Sequence, residues 1–542
     1  MRAHPPNLRE RVLEGAGAGG LPAAGWSRPA AAVVLWRRAA AGDAANRPLE
    51  VFWVERAAGL SFMAGWRAFP GGTVAKEDRG VAVEGEPSGL QEAPAAGALP
   101  ESVTEGLGDL GPILAPGLLA GALRELFEET GLLLARWSGA PRDALALAGA
   151  RARLLAGETD FPGLLAELGA RLDASLLGYA GRWLTPPLGP LRFDTRFFLV
   201  EWDRRRALQP ILGVEAAAGE WIEPAAALAR WERGEVLAAP PILHLLRVLD
   251  EEGPIAGHPR LVDPSEVNLG PFRKIEFRPG VLLFPLATRT LPPATHTNAY
   301  LLGTREAVLV DPGSERPGEI ARLEAALADA EARLGRRVSA IWLTHHHPDH
   351  VGGAAALRKS LGVPVLAHVE TTRRLAARGI PVDGELRDGE RRLLDGAPGF
   401  ALGVLHTPGH APGHLCFLEE RLGSLVCGDL VAGFGTVVID PPDGDMDAYL
   451  ASLERVKALA PRVLLPGHGP AIAGAVARLE EYAAHRRWRE ERVLAAWRAG
   501  LREPAAMVVS VYDDTPPAAH ALAERQIVAH LERLRRKGRL EE

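Results

Sequence analysis

Short apolar runs that end in turn residues alternate along this chain with longer stretches whose apolar residues recur every three or four positions. The first pattern predicts strands and the second helices. In the first half, strands are predicted over 31–37, 49–55 and 196–201, and helices over 117–130 and 143–155. On the 117–130 helix, Leu123, Leu126, Phe127 and Thr130 fall at i, i+3, i+4 and i+7 and turn inward, and Gly131 is placed to end it. In the second half, apolar runs lead directly into Asp311, His345, Asp429 and His468, with helices predicted over 316–334 and 354–361. The last part reads as three helices, 476–499, 504–512 and 518–537, the third with a buried stripe of Ile527, Val528, Leu531 and Leu534. There is no internal repeat, and no apolar run reaches the 18 residues of a spanning helix.

These elements group into a flexible N-terminus over 1–28, a domain over 29–250, a Pro- and Gly-bearing linker over 251–272, a domain over 273–475 and a helical tail over 476–542. A length of 542 residues agrees with two to four domains. Composition adds that 47% of residues are hydrophobic and 24% charged, the profile of a soluble globular protein. A net charge of −6 argues against a general nucleic-acid or membrane-surface binder. The two cysteines, Cys416 and Cys427, give no disulfide framework and suit a reducing compartment. The first residues lack the apolar core of a signal peptide, so a cytoplasmic location is expected.

The densest chemistry is Thr344-His345-His346-His347-Pro348-Asp349-His350, which follows the apolar run 340–343. His345 and His347 alternate, so both can point the same way, and Asp349 and His350 can serve a second ion nearby. Imidazole with carboxylate suits Zn²⁺ and similar borderline cations. His410, Asp429 and His468 come later, each after a short apolar run and before a turn, where loops leave strand ends.

This series resembles the metallo-β-lactamase superfamily. The HxHxDH signature stands as His345, His347, Asp349 and His350, and the later ligands as His410, Asp429 and His468. The resemblance implies an αββα sandwich with a dinuclear site of two Zn²⁺ (or Mn²⁺/Fe²⁺). His345, His347 and His410 would hold one ion and Asp349, His350 and His468 the other, with Asp429 bridging. Asp349 would also be catalytic, and two cations would lower the pKa of water held between them. Asp311 and His414 would orient ligands rather than bind metal. True β-lactamases of this superfamily usually carry Cys where Asp429 stands, which argues against antibiotic hydrolysis. Only 38 residues separate Asp429 from His468, too few for the large cap of some nuclease members. Small thioesterases, lactonases and simpler endoribonuclease-like members remain.

A second signature lies upstream. On the helix predicted over 117–130, Glu125, Glu128 and Glu129 share one face, a repulsive patch that a divalent cation relieves. Arg124-Glu125-Leu126-Phe127-Glu128-Glu129-Thr130-Gly131-Leu132 resembles the second half of the Nudix box. Phe69-Pro70-Gly71-Gly72 supplies its glycine, with Glu77 or Asp78 as the acid six residues on. An insert over 79–120, rich in Gly, Pro, Ala and Glu, separates the halves and reads as a surface excursion. The coenzyme A diphosphatase-related branch carries such an insert. By this resemblance Glu125, Glu128 and Glu129 bind Mg²⁺ or Mn²⁺ and activate water, Arg124 holds the carboxylates, and the Gly72 carbonyl adds a ligand.

The fold class expected is therefore α/β multidomain: a Nudix α/β/α fold, an αββα sandwich, and a small helical tail that resembles the winged helix of an endoribonuclease-like branch. The function expected is cleavage of an ester or thioester at the second site and of a diphosphate-linked molecule, such as a CoA derivative, at the first. The alternative is an endoribonuclease-like nuclease with a nucleotide-binding Nudix domain. Small-molecule substrates are favoured as partners over nucleic acid, and no membrane is expected. The tail carries 13 Lys and Arg against 11 Asp and Glu over 478–542, a weak positive balance for a nucleic-acid reader.

Overall fold

The computed structural model describes residues 27–540 except 40–47, 61–62, 91–98, 101–103, 105–111, 141, 204–208 and 292. The chain forms two compact units, Met1–Pro279 and Gly280–Glu542.

The first unit is built on a mixed sheet whose main path runs Ala216–Ile222, Leu49–Arg56, Arg28–Arg38, Phe193–Glu201, Gly178–Leu184. Arg28–Arg38 and Phe193–Glu201 pair in parallel from Arg28↔Phe193 to Trp36↔Glu201. Side chains on a strand alternate between its two faces, and here both faces are covered. Val33, Leu35, Phe52 and Val54 pack with Leu123, Leu126 and Phe127 of helix Leu118–Thr130. Val34, Trp36, Val51 and Trp53 pack with Leu245 and Leu246 of helix Pro240–Glu251. That double burial explains why the strands read as continuous apolar runs. Gly131, at φ 73°, ends the Leu118–Thr130 helix as its sequence position predicts.

Two expectations change here. The stretch 251–272 is not a linker: it holds helices Gly253–Ala256 and His258–Val262, each with Pro in its first turn, and buries Leu261, Val262, Leu269 and Phe272. Its prolines open short helices, where a missing N–H costs nothing, rather than loosening the chain. The insert is not wholly a surface excursion. Val83–Glu84 pairs with Ala170–Asp173, which also pairs with Ala135–Trp137, in a small sheet. Much of the rest of the insert, and residues 1–26 of the expected N-terminus, lie outside the described residues; Arg28 already opens the first strand.

The second unit is a sandwich of two sheets. One runs, within this unit, Val281–Ala287, His296–Gly303, Glu306–Val310, Arg337–Trp342, Val365–Ala367, Gly384–Glu385. The other runs Arg391–Leu394, Phe400–His406, Leu415–Glu419, Ser424–Gly428, Val463–Pro466, Ile472–Ala473. Trp342 and Phe417 meet between them with ring centroids 5.1 Å apart. Helices Pro317–Leu334 and Ala354–Leu361 flank the first sheet, and Met446–Ala458 lies against the long helix Ala475–Arg498. Glu306–Val310 is parallel to Arg337–Trp342, and Ser424–Gly428 to Val463–Pro466. Their carboxyl ends therefore deliver Asp311, His345, Asp429 and His468 to one edge, the usual place for a site on parallel strands.

The tail is helical: Ala475–Arg498, Pro504–Val511 and His520–Arg536 share a core that includes Val493, Met507, Ile527 and Leu531. No strand forms in it among the described residues. Nor is any helix of the described residues long and apolar enough to cross a membrane.

Candidate functional sites

In the second unit, seven side chains gather around two points. His347 Nδ1 lies 2.9 Å from both His345 Nε2 and His410 Nε2. His468 Nε2 lies 3.4 Å from Asp349 Oδ2. Asp429 spans the two groups: Oδ2 is 3.4 Å from His410 Nε2, and Oδ1 is 3.4 Å from His350 Nε2 and 3.5 Å from His468 Nε2. Donors at about 2.05 Å around a tetrahedral ion stand about 3.3 Å apart. His345, His347 and His410 form one convergent donor group, and Asp349, His350 and His468 another, each with ligand atoms within 4.8 Å of one another.

The outer nitrogens fix which atoms face inward. Thr344 Oγ1 donates to Asp311 Oδ2 at 2.5 Å and so accepts from His345 Nδ1 at 2.9 Å. His350 Nδ1 donates to Asp311 Oδ2 at 2.8 Å, His410 Nδ1 to Val438 O at 2.7 Å, and His468 Nδ1 to His296 O at 2.9 Å. Each leaves an Nε2 lone pair aimed into the site. A third donor group, Asp311 with His345 and His350, is taken up by these hydrogen bonds. Asp311 reaches them from a left-handed backbone, φ 49°, just past its strand.

Burial and the neighbouring His410 push His347 down to about 3, and burial holds His345 well below the usual imidazole range. Both are therefore neutral and able to donate a lone pair. Burial works against the charged form of Asp349, but His468 and His350 together outweigh it and bring the carboxyl to about 2. Buried His350 Nε2 and Asp429 Oδ1 face each other without a hydrogen-bond partner. Buried polar atoms are rarely left so, and a cation between them satisfies both. The donor set thus fits divalent ions.

Three further histidines sit outside the donor groups. His414 Nε2 accepts from Asp429 N at 3.1 Å, His346 Nε2 meets Asp443 Oδ2 at 3.0 Å, and His406 stacks on His368 with centroids 4.1 Å apart. Sequence reasoning passed over Asn298, whose Nδ2 donates to Pro466 O at 2.9 Å and Gly469 O at 2.8 Å, holding the loop of His468. Its signal was an amide just ahead of the apolar run 299–302. Thr344 was missed as a hydrogen-bond relay although it stands beside His345.

In the first unit, Arg124 organises the acidic helix face. It pairs bidentately with Asp78 at 2.9 and 3.1 Å, with Glu125 at 3.0 Å and Glu128 at 3.0 Å, and donates to Thr73 O at 2.9 Å. Buried Asp78, not Glu77, is the acid that meets Arg124, which resolves the register. Glu129 Oε2 accepts from Gly71 N at 3.2 Å. A Cβ on Gly72 would stand 2.4 Å from the Glu125 carboxyl carbon, so only glycine admits that carboxylate. Burial, partly opposed by Arg124, pushes Glu125 up to about 7; burial and the Glu125 charge push Glu129 up to about 8. The three glutamates do not converge as a donor group like those of the second unit, since Glu128 turns to Arg124 and Glu129 to the Gly71 amide.

Comparison with known proteins agrees with this anatomy. Family models match residues 292–468 (metallo-beta-lactamase superfamily), 23–249 (NUDT19 Nudix domain) and 504–542 (beta-lactamase associated winged helix domain). The chain belongs to the metallo-β-lactamase superfamily, with a Nudix domain ahead of the sandwich and the associated winged-helix domain behind it. It is a hydrolase by both domain types. Beta-lactamase-like protein 2 homolog of Drosophila melanogaster is 31% identical over 252 residues, 45% of this chain and 84% of that protein. An atrochrysone carboxyl ACP thioesterase of Aspergillus fumigatus is 32% identical over 208 residues, 38% of this chain and 61% of that one. A crystal structure of a Nudix hydrolase from Alicyclobacillus acidocaldarius is 31% identical, covering 42% of this chain and 92% of its own, with a TM-score of 0.32.

Proposed function

We propose that the second unit hydrolyses an ester or thioester at a dinuclear centre, and that the Nudix domain hydrolyses a diphosphate-linked substrate such as a CoA derivative. The observation that carries the first part is the convergence of seven donors with His350 Nε2 and Asp429 Oδ1 buried and unpartnered. His345, His347 and His410 would hold one ion, Asp349, His350 and His468 the other, and Asp429 both; Zn²⁺, Mn²⁺ or Fe²⁺ suits this set. Such ions supply Lewis acidity toward a scissile carbonyl and a water-derived nucleophile near neutral pH. The chain's own part is to hold the lone pairs in place. Asp311 orients His350 directly and His345 through Thr344, and His414 holds the backbone amide of Asp429. The thioesterase name of one relative supports the substrate class.

In the Nudix domain, Glu125, Glu128 and Glu129 would bind Mg²⁺ or Mn²⁺, with Arg124 as positioning residue. Raised carboxylates at Glu125 and Glu129 mark a site where charge needs a cation. Of the basic residues in the tail, Arg533 and Arg536 pair with Asp447 and Asp445 of the same unit at 2.7 and 2.6 Å. That pairing favours small substrates over RNA.

The test is turnover by purified chain with Zn²⁺ or Mn²⁺ on S-acyl-glutathione, acyl-CoA, free CoA and a short RNA, beside His347→Ala and Glu129→Gln. Thioester cleavage lost only in His347→Ala, and CoA cleavage lost only in Glu129→Gln, are expected. RNA cleavage lost in His347→Ala, with thioesters untouched, would overturn the reading.

A further inference from the structure

Between strand Ser424–Gly428 and helix Met446–Ala458 the chain forms neither helix nor strand. This strap leaves directly from Asp429, and two of its backbone groups bear on the donor set. Val438 O accepts from His410 Nδ1 at 2.7 Å, and Gly433 N donates to His468 O at 2.7 Å. An irregular segment with these duties needs support from elsewhere, and the tail gives it. Arg486, 1% exposed, donates to Val437 O at 2.5 Å, and Gln526 Nε2 donates to the same oxygen at 3.2 Å. Arg486 NH1 also reaches Gln526 Oε1 at 3.3 Å, tying helix Ala475–Arg498 to His520–Arg536 at that point. Tyr482 OH meets Gly435 O at 2.9 Å and Ala432 N at 3.0 Å, and Arg525 pairs with Asp440.

We infer that the C-terminal helices are a clamp for the metal centre: Arg486 and Gln526 hold Val437, so that the next carbonyl, Val438 O, fixes His410 with its Nε2 toward the ion. Arg486 and Gln526 are positioning residues, acting through one peptide unit. Burying a guanidinium is costly unless hydrogen bonds take up its donors, and Val437 O and Gln526 Oε1 do so for Arg486. The charge pattern agrees, because the tail directs the buried or largely buried Arg486 and Arg533 at its own unit rather than at solvent.

This inference rests on the dinuclear reading above, and its test separates the two. Co²⁺ equivalents, affinity by chelator competition and the visible Co²⁺ spectrum are read on the full chain, on Arg486→Gln, on Gln526→Leu, and on Met507→Ala. Met507 is buried in the tail's own apolar core and serves as a comparator for loss of stability alone. Affinity for the ion at His345, His347 and His410 is expected to fall about 10–100-fold in the clamp variants, the usual cost of losing an outer partner of a ligating histidine. The other ion stays, and Met507→Ala keeps both despite a lower Tm. If Arg486→Gln does not fold, Gln526→Leu decides alone. Binding within twofold of the wild type in a folded clamp variant, or an equal loss in Met507→Ala, would overturn the clamp while leaving the dinuclear site intact. A wild-type chain that binds no Co²⁺ would sink the dinuclear reading, and the clamp with it.

Discussion

A methyl group on residue 467 would stand 2.6 Å from His350 Cε1 and 2.8 Å from Asp429 Oδ1. Neither atom can retreat without moving a ligand. Gly467→Ala should therefore lose metal affinity by at least about tenfold, by analogy with other disturbances of ligand orientation, while far-UV circular dichroism stays unchanged. Wild-type metal content in that variant would contradict the geometry. Removing a donor outright is more severe. His347→Ala should lose more than about 100-fold in thioester turnover, read as kcat/KM under saturating metal. The convergence of these seven side chains was legible because His and Asp cluster at 345–350 and the order of the later His410, Asp429 and His468 matches a known series. Arg486 and Gln526 were not legible. Their partner is a backbone oxygen about 50 and 90 residues away, and neither spacing nor residue type marks a side chain whose role is a tertiary hydrogen bond.

Elements were readable where burial is one-sided or complete. Helix Leu118–Thr130 was placed by its apolar period and Gly131, and its buried stripe of Leu123, Leu126 and Phe127 is the one the period selects. Leu126→Ala should cost about 2–5 kcal/mol, seen as a lower midpoint in urea denaturation of the first unit. A cost below about 1 kcal/mol would mean that the helix is not packed on the sheet as described. The 251–272 stretch misled for a physical reason. Pro and Gly mark turns in general, but here Pro254 and Pro259 sit in the first turns of short helices, and only the burial of Leu261 and Val262 reveals the packing.

At the scale of the molecule, each unit carries its own core, and the residues that would hold the proposed dinuclear centre all come from the second. Metal bound only by the folded state stabilises that state. Removing metal with EDTA should thus lower the unfolding temperature of the second unit and leave the first unchanged in calorimetry with Mg²⁺ restored. A second lever is acid. Burial disfavours the Glu490 carboxylate, yet His530 and Arg533 outweigh it and hold it down at about 2. A depressed carboxyl stabilises the fold above its unfolded pKa, near 4.5, and that contribution fades as pH falls toward 2. Glu490→Gln should accordingly lose about 2 kcal/mol or more at pH 7 and show a flatter stability profile between pH 4.5 and 2 than the wild type. An unchanged slope there would remove the ion pair from the tail's stability.

The dinuclear centre is tested most directly by a Zn²⁺ titration of the metal-free 542-residue chain carrying Glu128→Gln and Glu129→Gln, so that the Nudix carboxylates contribute little. Thioester hydrolysis is followed in the same samples. Two tight equivalents per chain are expected, with activity that rises with their occupancy, and His347→Ala is expected to lose one equivalent together with activity. Fewer than two equivalents, or hydrolysis that ignores both the metal and His347, would contradict the dinuclear reading.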